Sequence, residues 1–445
     1  MAFMIMINLY NRLSKPVSIA TLGVVTSLFL FCDPLIKEVG SHPDNLMPVN
    51  ASMIGHIILV FMLATIVSFL LCDLLVRYAH LHQHLTADPF IGKVQAFHLE
   101  PTPRIAGVAI FIATLSGCSL SCVLEETQLH KNFFLISLIM ASIPAFCGGL
   151  AEDIFKNVGV AQRLLLTLIS AAIAACIIDK GLTLYHVDAV WMDKLLSIEV
   201  ISLLFTLFVV GGFTNAINLI DGYNGLVGGF MVVALTAITI AAFLVNDAMI
   251  ASISIIMIGA ILGFLAWNWP RGKIFLGDGG SYFIGFISAE LCLLLLYHNP
   301  TVSPWFPLAI FIYPVFETLF TMFRRTFIHK TLNTEPDANH LHQMIFKLLL
   351  NRNQLALCKN QVKKINHDGT PCQFMNTCPQ KMRIRNNRVA PYIWSATAIN
   401  AVLAVMFMHS TIMLMGLCLA SCSIYVLSYS LLTTKKILTK VVTIN

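Results

Sequence analysis

Apolar runs of about 20 residues recur along the chain, each closed by a short polar or glycine-rich interruption. That rhythm predicts helices that cross a membrane rather than a soluble core. Twelve spans are expected, near 17–32, 54–75, 105–124, 132–151, 160–179, 198–216, 225–245, 249–267, 281–298, 305–323, 390–408 and 411–432. At about 1.5 Å per residue each can cross a hydrocarbon layer of about 30 Å, the shortest only just. The expected fold class is therefore all-α, a polytopic transmembrane bundle of about 11 to 12 spans. Only 324–389 breaks the rhythm at length; it is basic and has no clear periodicity.

Composition agrees with this pattern. Of 445 residues, 57% are hydrophobic and 11% charged, against about 25% charged in soluble proteins. The 12 cysteines lie mostly inside apolar runs and give no disulfide framework. The first apolar run lacks a convincing small-x-small cleavage site at "FCDPLIKEVG", so an uncleaved first span is expected. The net charge of +6 is modest, and no nucleic-acid partner is expected. Its distribution is more informative. With the N-terminus inside, only Lys37, Lys131, Lys180 and Lys194 of the 28 lysines and arginines fall outside.

The remaining polar clusters all fall on that basic, inner side. They are "HLEPTPRIAG" (98–107), "GGLAEDIFKNVG" (148–159), "NAINLIDGYNG" (215–225), "WNWPRGKIFLGDGGS" (267–281), "PVFETLFTMFRR" (314–325) and "PDANHLHQ" (336–343). Taken singly, Glu152 and Asp153 read as helix-end residues, Asp221 as a turn aspartate and Asp278 as a turn before a Ser281 cap. His340 and His342 read as loop surface. Glu317 is harder to dismiss, since it lies about 10 Å inside a helix. Five carboxylates reaching one membrane face together mark a site.

Converging carboxylates need a cation, and open oxygen ligation suits Mg²⁺ or Mn²⁺ shared with phosphates. Glycine- and asparagine-rich turns admit close approach of a phosphate or a base. Lys156, Arg163, Arg324 and Arg325 supply positive charge at the same level. The pattern points to phosphoryl transfer at an inner membrane face. No Walker A loop or GxGxxG turn supports an ATPase or kinase. His367, Cys372 and Cys378 hint at a metal site, but their spacing is poor.

These motifs, in this order over roughly 76–345, resemble the polyprenyl-phosphate N-acetylhexosamine-1-phosphate transferase superfamily. That superfamily holds the undecaprenyl-phosphate GlcNAc-1-phosphate transferases and phospho-MurNAc-pentapeptide translocase. The resemblance implies Mg-dependent transfer of a sugar 1-phosphate from a UDP-N-acetylhexosamine to polyprenyl phosphate, with release of UMP. The place implied is the cytoplasmic face of the cell inner membrane, at the start of a lipid-linked glycan such as O-antigen. A homodimer is one assembly the bundle could adopt. By motif, Glu152, Asp153, Asp221, His340 and His342 match catalytic positions. Asp278 and Asp221 match the metal side, with Asn218 beside the diphosphate. Asn224, Asn268 and Phe275 match the uridine pocket. Lys156 and Arg163 suit the lipid phosphate, and Arg324 and Arg325 are further substrate-binding candidates. Attack by the lipid phosphate on the β-phosphorus is expected, with a covalent intermediate on Asp153 left open.

The chain departs from the family pattern at Glu152 and Glu317, where aspartate is more usual, and at Ala338 and Gln343 in the histidine loop. The triple-histidine motif of the pentapeptide translocase is absent, so the GlcNAc-type relatives are the better match. The expected organisation is an N-terminal extra span and outer loop (1–53), a transferase core (54–345), a basic cytoplasmic segment (346–389) and C-terminal spans (390–445). Two rival readings stay open. One is a transporter or flippase using the same carboxylates. The other is a catalytically degenerate assembly partner.

Overall fold

The structure is a computed structural model and describes residues 51–86, 102–124, 129–178, 182–329, 339–349 and 386–441. The expected first span at 17–32, Ala338 and the His367–Cys378 cluster lie outside these residues. The elements run in chain order as α1 (Ala51–Arg77), α2 (Ala79–Thr86), α3 (Ala106–Leu124), α4 (Leu129–Phe155), α5 (Val160–Ile177), α6 (Val190–Leu196), α7 (Glu199–Leu219), α8 (Leu226–Leu244), α9 (Ala248–Asn268), α10 (Gly277–His298), α11 (Trp305–Ile310), α12 (Ile312–Phe323), a π-helical turn (Arg324–His329), α13 (Leu341–Leu349), α14 (Val389–Met406) and α15 (Thr411–Val441). Ten of these helices are long and apolar enough to span a membrane, and the chain is a multi-pass helical bundle.

The expected span at 305–323 is broken. Phe311 separates α11 from α12, and the interruption falls between Pro307 and Pro314. Pro314 has no N–H to give the carbonyl a turn earlier, and its ring crowds that carbonyl. The π turn then carries the segment on through Arg324 and Arg325.

Helix α10 is the centre of the bundle. Its spanning window is 100% buried, whereas that of α15 is 17% buried and faces outward. Small residues let neighbouring helices close on α10. A Cβ on Gly107 would stand 2.3 Å from the Gly280 nitrogen, and one on Gly149 would stand 2.5 Å from the Asp278 carbonyl. Deeper in, Phe111 of α3 stacks on Phe146 of α4 at 4.5 Å, and Phe283 of α10 meets Phe111 edge-on at 5.1 Å. Close backbone approach at one end and interlocked rings above it fix the first turn of α10. That turn carries Asp278.

Candidate active site

The site forms where α4, α7 and α10 end or begin on one face. Asp153, in the last turn of α4, is 2% exposed. Its Oδ1 accepts the Asp278 N–H at 2.9 Å and its Oδ2 the Gly279 N–H at 2.8 Å. A carboxylate is thereby seated on the N-terminal N–H groups of α10, where such groups lack helical partners and the helix dipole favours negative charge. Gly277 enters this turn at φ +78°, and a Cβ there would meet Asp153 Oδ2 at 2.5 Å. Asp153, matched by motif to a catalytic position, thus lies beneath the helix with both oxygens engaged. Its neighbour Glu152 is half-buried and turns one oxygen to the Val158 N–H at 2.8 Å.

Asp278 itself is 8% exposed. Its carboxylate takes ion pairs from Arg104 (3.1 Å) and from Arg163, and a hydrogen bond from Asn218 Nδ2 (3.1 Å). The same Asn218 amide nitrogen donates to Ser281 Oγ at 2.8 Å, so its amide oxygen is turned away from this pair. Arg163, expected beside the lipid phosphate, is therefore joined to the metal-side carboxylate in this structure. Arg104, Lys156 and Asp221 all lie within electrostatic reach of Asp153. Lys156 is exposed at the end of α4, with a left-handed φ of +57°.

The glycine-rich turn at 221–225 joins α7 to α8. Gly225 is left-handed (φ +77°), and a Cβ there would meet the Trp269 ring at 2.7 Å, so no other residue fits without a shift. Asn268 clamps this turn: its Oδ1 accepts the Gly225 N–H (2.6 Å) and its Nδ2 donates to the Ile274 carbonyl (2.8 Å). Both ends of the amide expected in the uridine pocket are committed to backbone. Phe275 is half-buried in a short strand-like segment, its N–H on the Pro103 carbonyl and its carbonyl on the Ala106 N–H.

A second polar group lies beside this turn. Glu317 of α12, 0% exposed, accepts from His340 Nδ1 (3.0 Å) and from the Leu341 N–H (3.1 Å), which fixes the start of α13. Gln343 reaches back to the His340 N–H at 3.0 Å. The residue that departs from the family pattern thus serves as a helix cap. The rings of His340 and His342 stack 5.3 Å apart, 10° from parallel. His342 Nδ1 pairs with Tyr313 OH at 3.0 Å, and its Nε2 faces Gly222 of the turn. Burial, then the adjacent His340, hold the His342 pKa well below the ordinary histidine value, so the ring is neutral at pH 7.

Arg324 sits elsewhere. It is 2% exposed, donates to the Asn339 carbonyl (2.7 Å) and to Tyr429 OH, and lies over the Tyr429 ring. Its visible role is to tie the histidine segment to α15. Arg325 is half-buried in the π turn.

The sequence model of glycosyl transferase family 4 matches residues 135–296. A probable undecaprenyl-phosphate N-acetylglucosaminyl 1-phosphate transferase of Bacillus subtilis is 30% identical over 261 residues, covering 58% of this chain and 70% of that protein. The chain belongs to glycosyl transferase family 4. A decaprenyl-phosphate N-acetylglucosaminephosphotransferase of Mycolicibacterium smegmatis is 27% identical over 277 residues (56% of this chain, 66% of the relative). A phospho-N-acetylmuramoyl-pentapeptide-transferase of Streptococcus pneumoniae is 29% identical over 237 residues (52% and 69%). These family 4 members are phosphosugar transferases, and this chain is an enzyme of that kind. The family 4 match contains Glu152, Asp153, Asn218, Asp221 and Asp278 and stops short of Arg104, Glu317, His340 and His342.

Two groups at the site were not singled out from sequence. Arg104 sits in the quoted "EPTPRIAG" motif, and its charge beside a conformationally fixed proline pair was the available signal. Asn386 and Trp394 touch the 224–226 turn from the far end of the chain. Nothing in local sequence marks them.

Proposed function

We propose that the chain transfers an N-acetylhexosamine 1-phosphate from a UDP-sugar to a polyprenyl phosphate, releasing UMP, at the cytoplasmic face of the cell inner membrane. The observation that carries this reading is the Asp278 cluster, in which two arginines and an asparagine amide converge on one carboxylate at the membrane face. Arginine forks bind phosphate oxygens as readily as carboxylates and can bridge the two. The names of the family 4 relatives supply the acceptor class, polyprenyl phosphates of two kinds.

Asp278 and Asp221 are hard oxygen ligands that suit Mg²⁺ or Mn²⁺, and the Asn218 amide would present its oxygen beside Asp278 only after turning over, since its nitrogen faces Asp278 and Ser281. Among the described residues no group of three or more His, Cys, Asp or Glu side chains is placed to hold a metal ion by itself. Magnesium characteristically takes one or two carboxylates and completes its shell with substrate phosphates and water. Bound there, the ion would neutralise charge building on the leaving UMP.

The chain's own residues do the rest by placement. An oxygen of the lipid phosphate attacks the β-phosphorus of the UDP-sugar; a P–O bond forms, and the bond from that phosphorus to the bridging oxygen breaks, with both electrons leaving on UMP. A phosphate monoester is largely ionised at pH 7, so the attack needs little help from a base. Arg163 and Lys156 orient the attacking phosphate. Asp153 positions Asp278 through the first turn of α10, and its two engaged oxygens favour direct transfer over a phospho-aspartate. Neutral His342 and hydrogen-bonded His340 line the diphosphate side beside Gly222.

The test is UMP release by the purified full chain in detergent, supplied with undecaprenyl phosphate, Mg²⁺ and a panel of UDP-N-acetyl sugars. UMP formed from one sugar and abolished by EDTA is the expected result. A folded, monodisperse protein that forms no UMP from any sugar would favour the degenerate-partner reading.

A further inference from the structure

Among the ten spanning helices α15 is the least buried. Its C-terminal half nevertheless carries two tyrosines one turn apart, Tyr425 and Tyr429, with rings stacked at 6.5 Å. Tyr425 meets Phe316 and Phe320 of α12 edge-on at 5.1 and 5.4 Å, and Tyr429 meets Phe320 at 5.0 Å. These ring contacts dock α15 on α12, and phenylalanine would make every one of them. The Tyr429 hydroxyl is surplus to docking.

That hydroxyl accepts from Arg324 Nη1, the same nitrogen that donates to the Asn339 carbonyl at 2.7 Å, and the Tyr429 ring centre lies 5.5 Å from the guanidinium carbon. A guanidinium presents its donors in a rigid planar fork, so an acceptor on one side fixes where the rest of the fork points. Here it points at the peptide group that leads into the histidine pair. The Asn339–His340 peptide is held at both ends, its carbonyl by Arg324 and its N–H by Gln343 Oε1 at 3.0 Å. The next peptide is held likewise. The His340 carbonyl accepts the Met344 N–H at 2.9 Å, and the Leu341 N–H goes to Glu317 at 3.1 Å. His340 Nδ1 then meets Glu317 at 3.0 Å and Thr321 Oγ1 at 3.2 Å. Helix α12 supplies Glu317 and Thr321 directly; the restraint that originates in α15 passes through Arg324.

We propose that Tyr429 is a positioning residue for the transfer reaction: through Arg324 its hydroxyl sets the Asn339–His340 peptide, and with it the histidine pair that lines the diphosphate side. The inference rests on the UDP-sugar reading above. It gives the outermost helix of the bundle a part in the chemistry, although no α15 side chain need touch a substrate. Small displacements of groups that align reactants are costly in rate, so one hydroxyl acting at this remove has a measurable effect. A docking contact and a positioning contact differ in a way that can be read. Loosening α15 anywhere would weaken docking, whereas only the hydroxyl at 429 reaches Arg324.

The experiment combines steady-state UMP release with amide hydrogen exchange over residues 340–344, on the full chain in detergent with Mg²⁺. Tyr429→Phe keeps every ring contact and loses the hydroxyl. It is expected to lower kcat by about tenfold, with KM for both substrates within about twofold of the wild type. Exchange should quicken in 340–344. Thr411→Val is the control for docking, since it cuts the ties of the same helix to Asp188 and Ser303 at its other end. It should leave kcat within about twofold and exchange in 340–344 unchanged. In an Arg324→Met background, adding Tyr429→Phe should change kcat by less than about twofold, because the hydroxyl then has no fork to orient. If Tyr429→Phe does not accumulate as a monodisperse protein, Tyr429→Met removes the hydroxyl with an adaptable apolar chain, and the same quantities are read. Wild-type kcat in the Tyr429 variant, unchanged exchange in 340–344, or an equal loss in Thr411→Val would each reduce Tyr429 to a docking contact. Any of these would overturn the proposal while leaving the UDP-sugar reading intact. A wild type that releases no UMP would overturn that reading and the catalytic part of the inference; exchange in 340–344 would still decide whether Tyr429 sets the histidine segment.

Discussion

The two faces of the bundle carry carboxylates that are treated differently. On the site face, Asp278 is held by two arginines and an amide. On the opposite face, Asp188 accepts from the hydroxyls of Ser303 and Thr411, and Asp193 from the Val187 N–H. Asp247 there caps α9 through the Ile250 N–H and pairs with His298 at 2.9 Å. Burial acts against ionisation of Asp247, but the hydrogen bonds from His298 and Ile250 outweigh it and hold its carboxyl below the ordinary value. The far-face carboxylates tie loops and helix ends together through hydroxyl and N–H donors and one histidine, without an arginine or lysine among the described residues. The near-face one gathers arginine charge from two other elements, which is what an anionic substrate can share. Acidity alone does not mark a site in a membrane bundle; the recruited cations do.

The contrast can be broken most sharply at Asp278. Asp278→Asn keeps the shape, removes the charge and is expected to lower turnover by at least roughly 10²-fold with the helical fold retained, read by UMP release and circular dichroism. Asp153→Asn sets an amide N–H against one of the two α10 N–H groups. It should cost about 1–3 kcal/mol of stability and lower turnover with it, read by thermal unfolding in detergent alongside the assay. Arg163→Lys keeps the charge but loses the fork that bridges carboxylate and phosphate. An approximately tenfold rise in KM for polyprenyl phosphate is expected, larger than any change in KM for the nucleotide sugar.

Acid should act on the site face through His342. Its folded pKa lies below the unfolded value, so its contribution to stability is complete above about pH 6.5 and is lost as pH falls below that point. The slope is at most about 1.4 kcal/mol per pH unit, and His342→Gln should flatten it in pH-dependent melting curves. The smallest effect belongs to the opposite face. Asp247→Ala removes a helix cap at a cost of about 1 kcal/mol and should leave turnover within about twofold. A large loss of activity there would erase the distinction between the faces.

Much of this was legible in sequence because the bilayer makes local rules strict. Ten of the eleven apolar runs expected between 54 and 432 became helices long enough to span, near their expected bounds, since each must satisfy its own backbone in lipid. The broken helix at Phe311 was less visible, because both halves are apolar and only Pro307 and Pro314 hinted at the interruption. Motifs brought Asp153, Asn218 and Asp278 to one place, and the structure joins them. Their division of labour was not legible. That Asp153 caps α10, that Asn268 clamps the Gly225 turn and that Arg324 serves Tyr429 are facts of which backbone groups fall within 3 Å or so. Contacts between residues far apart in sequence decide them. Asn386 is the extreme case, 162 residues from the N–H it holds.

The most direct measurement uses a UDP-N-acetylhexosamine labelled with ³²P at the β-phosphate, incubated with the full chain, polyprenyl phosphate and Mg²⁺, then extracted into organic solvent. Phosphosugar transfer predicts that the label moves to the lipid phase in step with UMP release. Label remaining in water as UDP, while the sugar enters the lipid phase, would contradict the assigned bond cleavage at the β-phosphorus. Label remaining in the intact donor would contradict the enzyme's proposed substrates.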